Sequence, residues 1–316
     1  PVAINIPHIF DSYPDKDPRK LGAYITWVAI ATTCITSSMF LTALAPNLLA
    51  VDLITKSTGH AISWVEWSSV MLPLMIPLFL LTPWLTYIVY PPTQKKSPEA
   101  PAWAAQELKT LGAITFKEYL MAGLATVALV LWIFGTELGV DSTTVAIAIV
   151  AVMVLTNVIT WDDLISNKAA FDVLIWFSSL VAMASGLQKV GVLAWIGTNT
   201  QAMLSGMSPT TLIISLLVLF FLLHYFFASV TAHVTALIPI FMAIAVSLLT
   251  PEQIVPFTII LAGSLGVMGI ITPYGTGPSP IWYGAGYISQ GRWWALGAIF
   301  GALYLAVILV GALIFI

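Results

Sequence analysis

Charged residues are scarce in this chain. Lys, Arg, Asp and Glu make up 8% of its 316 residues, whereas 59% are hydrophobic. An average soluble domain carries roughly 25% charged residues, so these are too few to cover a surface that faces water. A large soluble core would also need polar caps between its helices. The composition therefore predicts a protein embedded in a lipid bilayer.

Cysteine and the common catalytic motifs are also lacking. The chain has 1 cysteine, Cys34, which excludes an internal disulfide framework and is expected to be a small packing residue. Neither His-Glu-x-x-His nor Gly-x-Ser-x-Gly occurs, and Asp162, Asp163 and Asp172 fall near the ends of apolar runs. We therefore expect no enzyme, no metal site and no nucleic-acid partner, with a membrane-embedded enzyme as the distant alternative.

Long apolar runs predict an all-α polytopic membrane protein. A helix needs about 18 or more apolar residues to cross the hydrocarbon core, and barrel strands would be much shorter and alternating. Some of the runs are too short to cross unaided and are expected to be re-entrant. Spans or half-spans are expected near 23–45, 64–90, 118–137, 143–160, 171–187, 192–205, 211–228, 234–250, 254–271 and 293–316.

The basic residues predict the topology. Most of the 11 Lys and Arg residues lie in residues 16–20 and in the Pro-rich segment 91–117. Positive residues favour the cytoplasmic side, and two crossings between these segments would put both there. The expected parts are a cytoplasmic connecting segment at 1–22, the end of a first repeat at 23–90, a cytoplasmic linker at 91–117, and a second repeat at 118–316.

Aromatic residues near the ends of the apolar runs are expected to anchor the helices at the membrane interface. They are Trp64 with Trp67, Trp84 with Tyr87 and Tyr90, and Trp293 with Trp294.

Two segments predict helices that break at membrane depth. A broken helix frees backbone groups, which lipid cannot satisfy, so matching breaks in two halves indicate a transporter site. The first, residues 36–50, places hydroxyl residues before an expected Pro-centred break, with Ser37, Ser38, Thr42, Pro46 and Asn47 as site residues. In the second, residues 263–280, Gly275 and Gly277 are expected to allow positive φ or close backbone approach. Its expected site residues are Thr272, Pro273, Gly275, Thr276 and Gly277.

A third interruption lies between two apolar runs, at residues 226–240. Ser229, Thr231 and His233 stand in the middle of this apolar region, where polar residues mark an ion or substrate path. Hydroxyls and free N–H groups at a helix start suit a carboxylate. His224, just before this segment, is open between a site residue and a hydrogen-bonded packing residue.

Three stretches carry a resemblance to a known family: SSMFLTALAPNLLA (37–50), FASVTAHVTAL (227–237) and TPYGTGPSPIWYGAGYI (272–288). They resemble the divalent anion–sodium symporter family, and within it the branch of citrate–succinate antiporters and plastid 2-oxoglutarate/malate translocators. The resemblance implies an inverted-repeat secondary transporter with a re-entrant hairpin, a homodimer and elevator-type movement.

Members of that family hold substrate carboxylates with two Ser-Asn-Thr loops. Ser229-Val230-Thr231 is similar to the second loop, with Val230 in place of Asn. The first loop would lie upstream of Pro1, so the chain is expected to lack most of the first repeat. The resemblance thus implies substrate contacts at Ser229, Val230 and Thr231.

The predicted function is exchange of dicarboxylates or tricarboxylates: succinate, malate, 2-oxoglutarate, citrate or tartrate. A dianion at membrane depth needs positive charge, which His233 can offer about one turn after Ser229. Sodium-coupled symport is the alternative, with sodium as its coupling ion, although Val230 lacks a side-chain oxygen for sodium. A channel would need a continuous polar stripe instead of isolated breaks. The expected location is a bacterial inner membrane, with the plastid inner envelope as the alternative.

Overall fold

The computed structural model describes residues 2–96, 98, 100–168 and 206–316, and isolated positions between 171 and 199. All the regular secondary structure in this part of the chain is helical, which confirms the all-α prediction. The spans expected at 171–187 and 192–205 lie mostly outside the described residues.

Most of the described helices follow the apolar runs. They are α1 (Val2–Ile9), α2 (Gly22–Met39), α3 (Ala45–Thr58), α4 (Trp64–Val89), α5 (Ala100–Leu111), α6 (Phe116–Leu138), α7 (Ser142–Leu155), α8 (Trp161–Ile165), α9 (Pro209–Leu223), α10 (Val230–Leu248), α11 (Pro251–Val267), α12 (Pro278–Gly284) and α13 (Gln290–Phe315). Short 3₁₀ turns occupy Leu41–Ala43, His224–Phe226 and Met268–Ile271.

Six of these segments are long and apolar enough to cross a membrane, so the chain is a multi-pass membrane protein. They are Trp64–Val89, Phe116–Gly135, Pro209–Phe226, Val230–Leu248, Pro251–Ile271 and Gln290–Phe315. Each lies on an expected span. The run expected at 143–160 is a shorter apolar helix, Thr143–Leu155, and the run at 23–45 is interrupted after Met39.

The chain forms two compact units. One contains residues 1–62, 66–94 and 177–316, and the other contains 63–65 and 95–176. In the second unit, α6 packs against α7, and α5 is exposed along its length within the predicted linker. The assignment of the chain to two repeats stays a prediction.

Asp163, an acidic residue near a span end, serves as a helix cap. Its Oδ2 accepts hydrogen bonds from the N–H and Oγ1 of Thr160, at 2.8 and 2.7 Å, in a capping box that starts α8. The hydrogen bonds from Thr160 hold the pKa of this exposed carboxyl below its usual range, because they favour the ionised form. This carboxylate therefore has a local structural role.

In the first unit, α4 and α13 run in opposite directions. Tyr90, just past the end of α4, lies 5.4 Å from the guanidinium of Arg292, in the first turn of α13. Further along both helices, the hydroxyls of Thr82 and Tyr304 lie 3.1 Å apart. The residue numbers fall on α4 as they rise on α13. The first long helices beyond the two breaks are therefore antiparallel, as an inverted repeat requires.

The two basic segments lie side by side. The N–H groups of Thr93 and Gln94 donate to the carbonyls of Arg19 and Lys20, at 2.9 and 3.1 Å. The Arg19 guanidinium also donates to the Pro91 carbonyl at 2.9 Å. That two crossings separate the segments stays a prediction, as does the cytoplasmic location of their side.

Two of the expected interface anchors are fully buried core residues instead. Trp67 and Trp293 are both fully buried. Trp293 packs edge-on against Trp27 at 5.3 Å, and Trp67 Nε1 donates to the Ser38 carbonyl at 3.1 Å. The anchor prediction is wrong for these two, because neighbouring helices cover them. Trp84, 62% exposed, fits it.

Candidate functional site

The first break lies at Phe40–Leu44, between α2 and α3. Phe40 and Leu44 are extended and flank a 3₁₀ turn, so the last carbonyls of α2 lose their helical partners. The side-chain amide of Asn47 replaces them by donating to the carbonyls of Ser37 and Phe40, at 2.8 and 3.3 Å. Asn47 is fully buried, and its Oδ1 has no partner among the described residues.

Pro46 begins a helix instead of breaking one. It lies in the first turn of α3, where an N–H would be unpaired in any case. The expectation of a break centred on Pro46 is therefore wrong, since the break precedes it. Pro278 begins α12 in the same way, whereas Pro273 lies inside the second break.

The second break, Thr272–Gly277, is non-helical as predicted. The expected positive φ is wrong for both of its glycines: it is found at neither, and Gly277 has a φ of −52°. Close approach is confirmed for Gly275, where a Cβ would lie 2.7 Å from Thr272 Oγ1 and 2.8 Å from His224 Nε2. A Cβ on Gly277 would meet nothing within 4 Å. Gly275 alone is therefore required by packing.

The third interruption is the turn between α9 and α10. Ser229 caps α10, and its Oγ accepts from the Ala232 N–H at 3.5 Å. Ser229 and Thr231 are half-buried, while Val230 is buried. The first turn of α10 therefore presents two hydroxyls beside free N–H groups, an arrangement that can bind an anion.

His233 lies in an aromatic enclosure. Its ring is fully buried, with centroids 4.4 Å from Phe220 and 5.0 Å from both His224 and Phe227. Neither of its ring nitrogens has a hydrogen-bond partner among the described residues. The enclosure was not predicted, although the spacing of Phe220 and His224, about one helical turn, could have indicated it.

The three interruptions meet in the first compact unit. The Val267 N–H, at the end of α11, donates to Ser38 Oγ, at the end of α2, at 2.9 Å. Helix α10 packs along α3, which begins beside the first break. His224 Nε2 lies 2.9 Å from the Gly275 carbonyl, so the packing role left open for His224 is confirmed. The structure thus brings the predicted segments together.

The predicted site residues differ in burial and in whether their polar atoms have hydrogen-bond partners. The buried hydroxyls of Thr272 and Ser279 have no partner among the described residues, and Ser279 was not predicted. Ser38 and Asn47 mainly support the fold, while Thr42 is half-buried and Thr276 is buried. No group of three His, Cys, Asp or Glu side chains that could hold a metal occurs in the described residues. Direct substrate contact stays a prediction for all of them.

We call the turn between α9 and α10, with the first residues of α10, the hairpin turn (residues 224–231). Membrane-crossing helices that break twice and meet such a turn have the architecture of a secondary transporter. The chain belongs to the family described as the sodium:sulfate symporter transmembrane region, which matches residues 1–315. The resemblance to divalent anion–sodium symporters is thereby confirmed.

Curated bacterial relatives carry a more specific name than the family does. The chain is 45% identical, over 99% of its length, to proteins named L-tartrate/succinate antiporter in Escherichia coli K12, Shigella sonnei and Shigella flexneri. It spans 64% of the length of these relatives.

Proposed function

We propose that this chain forms part of a carrier that exchanges C4-dicarboxylates, such as tartrate and succinate, across a bacterial inner membrane. The observation that carries the proposal is the 45% identity to L-tartrate/succinate antiporters over 99% of the chain. The relatives are named as transporters, and we propose that this chain likewise has no enzymatic activity. The capping role of Asp163 supports this view, as it gives one acidic side chain a structural purpose.

The start of α10 supports carboxylate binding. The hydroxyls of Ser229 and Thr231 are half-buried there, beside N–H groups that the helix leaves unpaired. The positive end of the helix dipole adds to the attraction for an anion. The second break brings the buried hydroxyl of Thr272 close to the hairpin turn through Gly275. Two carboxylates of one substrate thus have two sets of donors.

The surroundings of His233 support exchange. Phe220, His224 and Phe227 enclose it, and neither ring nitrogen has a partner among the described residues, so an imidazolium there would be a buried charge without a partner. A bound dianion would supply that partner, and Val230 offers no side-chain oxygen to a sodium ion. A carrier that holds its positive charge without a dianion would cross at high cost, which makes exchange the favoured mode.

Counterflow in proteoliposomes tests the proposal with the full-length protein. Labelled succinate outside should enter only vesicles preloaded with succinate, tartrate or another accepted acid, and sodium should not be required. A panel of L-tartrate, malate, 2-oxoglutarate and citrate inside the vesicles defines the substrate range. Uptake into empty vesicles driven by a sodium gradient would overturn exchange in favour of symport.

His233→Gln should reduce counterflow by roughly tenfold or more, because a neutral amide loses the charge-assisted interaction with the dianion. His8→Gln is the matched control, since His8 stacks on Tyr13 in the connecting segment. The control should exchange at the rate of the unmodified protein. Equal rates for all three proteins would show that His233 carries no charge for the substrate.

Sodium symport is the second candidate, and a specific observation favours it. Asn47 Oδ1 and Thr272 Oγ1 are buried oxygens without partners among the described residues, one beside each break. Oxygen ligands of this kind suit hard cations. The sodium arm of the counterflow experiment separates the two candidates. We also propose a homodimer, which cross-linking of the purified protein in lipid would test.

A further inference from the structure

The hairpin turn and the second break are joined by two reciprocal hydrogen bonds. The side chain of His224, in the turn, bonds to the backbone carbonyl of Gly275, in the break, at 2.9 Å. The hydroxyl of Tyr274, in the break, donates to the backbone carbonyl of Tyr225, in the turn, at 3.1 Å. Each segment therefore contributes one side chain and one carbonyl. We call these two bonds the reciprocal pair.

The Gly275 carbonyl determines which ring nitrogen of His224 carries the proton. A carbonyl only accepts hydrogen bonds, so Nε2 carries the proton and donates to Gly275. Nδ1 is then a buried acceptor without a partner among the described residues. Gly275 lets the ring approach, because a Cβ there would lie 2.8 Å from Nε2.

Aromatic packing covers the second bond of the reciprocal pair. The ring of Trp294, in α13, stacks on Tyr225 with centroids 6.1 Å apart and planes 13° apart. The same ring meets Tyr274 edge-on at 6.1 Å. Both tyrosines are therefore fixed by packing as well as by the hydrogen bond. A half-buried bond of this kind is stronger than one fully exposed to water.

We propose that His224 and Tyr274 are positioning residues that hold the second break in register with the hairpin turn. The turn carries Ser229 and Thr231, and the break carries Thr272, so the two halves of one site keep a fixed separation. The inference deepens the proposed function, because the ligand it positions is the proposed dicarboxylate. Neither residue needs to touch that ligand.

Four single variants of the full-length protein test the proposal by their half-saturating succinate concentration in counterflow. His224→Leu should raise it about tenfold to a hundredfold, because the Gly275 carbonyl is left buried without a donor. His224→Gln should restore it to within about threefold, since an amide keeps an N–H donor. Tyr274→Phe should raise it about tenfold. The control is Tyr24→Phe, which removes a similar bond to the Pro83 carbonyl, 3.0 Å long, and should leave it unchanged.

A double variant and a substrate-independent readout complete the test. His224→Leu with Tyr274→Phe should cost less than the product of the two single effects, because both bonds hold the same pair of segments. Hydrogen exchange by mass spectrometry, without substrate, should show faster exchange at 272–277 and at 227–231 in either single variant. The control Tyr24→Phe should leave both segments protected.

The outcomes separate this inference from the proposed function. If the unmodified protein exchanges no dicarboxylate, the proposed function fails, while faster exchange of both segments in the variants still supports the reciprocal pair. If His224→Leu lowers thermal stability but leaves half-saturation unchanged, the residue is merely structural and the inference is wrong. If His224→Leu does not fold, Tyr274→Phe decides by the same two measurements.

Discussion

The two helix breaks are supported in different ways. At the first, Phe40–Leu44, the freed carbonyls of α2 are bonded by Asn47, only a few residues further along the chain. At the second, Thr272–Gly277, the Gly275 carbonyl is bonded by His224, which is 51 residues away in the hairpin turn. The first break is thus supported by nearby Asn47 and by Trp67 of α4, which donates to the Ser38 carbonyl, whereas the second depends on the hairpin turn.

This difference separates substitutions that change the stability of the fold from substitutions that change transport. A break supported by segments other than the hairpin turn keeps its shape whatever the turn does, so its substitutions should mainly affect the free energy of unfolding. A break supported by the hairpin should respond when the hairpin changes, so its substitutions should mainly affect transport. The predictions below test that division.

Asn47→Leu should give the largest loss of stability. It removes the side-chain donor of the Ser37 carbonyl, at about 1–3 kcal/mol, whereas the Phe40 carbonyl keeps its hydrogen bond from the Ala43 N–H at 3.1 Å. Unfolding by sodium dodecyl sulfate in mixed micelles measures the change. Leu48→Ala, at the exposed neighbouring position, should stay within about 0.5 kcal/mol of the unmodified protein. Equal stability of Asn47→Leu and the unmodified protein would refute local support of the first break.

Gly275→Ala should reduce exchange roughly a hundredfold, because the new Cβ displaces His224 and shifts groups of the site by about an ångström. The initial rate of succinate counterflow measures the loss. Gly277→Ala is the matched control, since its Cβ would meet nothing within 4 Å, and it should retain nearly full exchange. Similar losses in both variants would mean that the break needs flexible glycines and not the close packing at Gly275.

Ser229→Ala should have a smaller effect than Gly275→Ala, because it removes one hydrogen bond to a charged group without moving the break. The expected loss is about 1.5–3 kcal/mol, or roughly tenfold to a hundredfold in apparent affinity for succinate. Competition by succinate in counterflow gives the affinity. Ser247→Ala, near the far end of α10, removes a hydroxyl bonded to Ile244 and should leave affinity unchanged. Unaltered affinity in Ser229→Ala would exclude direct contact.

The apolar runs were sufficient to predict the helical class and the six crossing segments, because helix length and hydrophobicity are local properties. The second break was also predictable, since the density of Gly and Pro in TPYGTGP cannot continue a helix. The first break was placed too late in the sequence. Proline is compatible with the first turn of a helix as well as with an interruption, and the sequence around Pro46 does not distinguish the two.

The supports of the site could not be read from the sequence, since they join distant segments. The need for glycine at position 275 depends on His224, and the enclosure of His233 depends on how α9 and α10 pack. The sequence therefore predicts the same conformational role for Gly275 and Gly277. Only the packing around them shows that one fills a crowded position and the other an open one.

The bond between Thr82 and Tyr304 has a consequence for biosynthesis. The two residues are 222 positions apart, so α4 emerges from the ribosome long before α13. At about 5–20 residues per second, the interval is roughly 11–44 s. During that time α4, which contains three prolines, lies in the membrane before the Thr82 hydroxyl has its final partner. Translation past Tyr304 is therefore the earliest point at which the Thr82 hydroxyl can gain this hydrogen-bond partner.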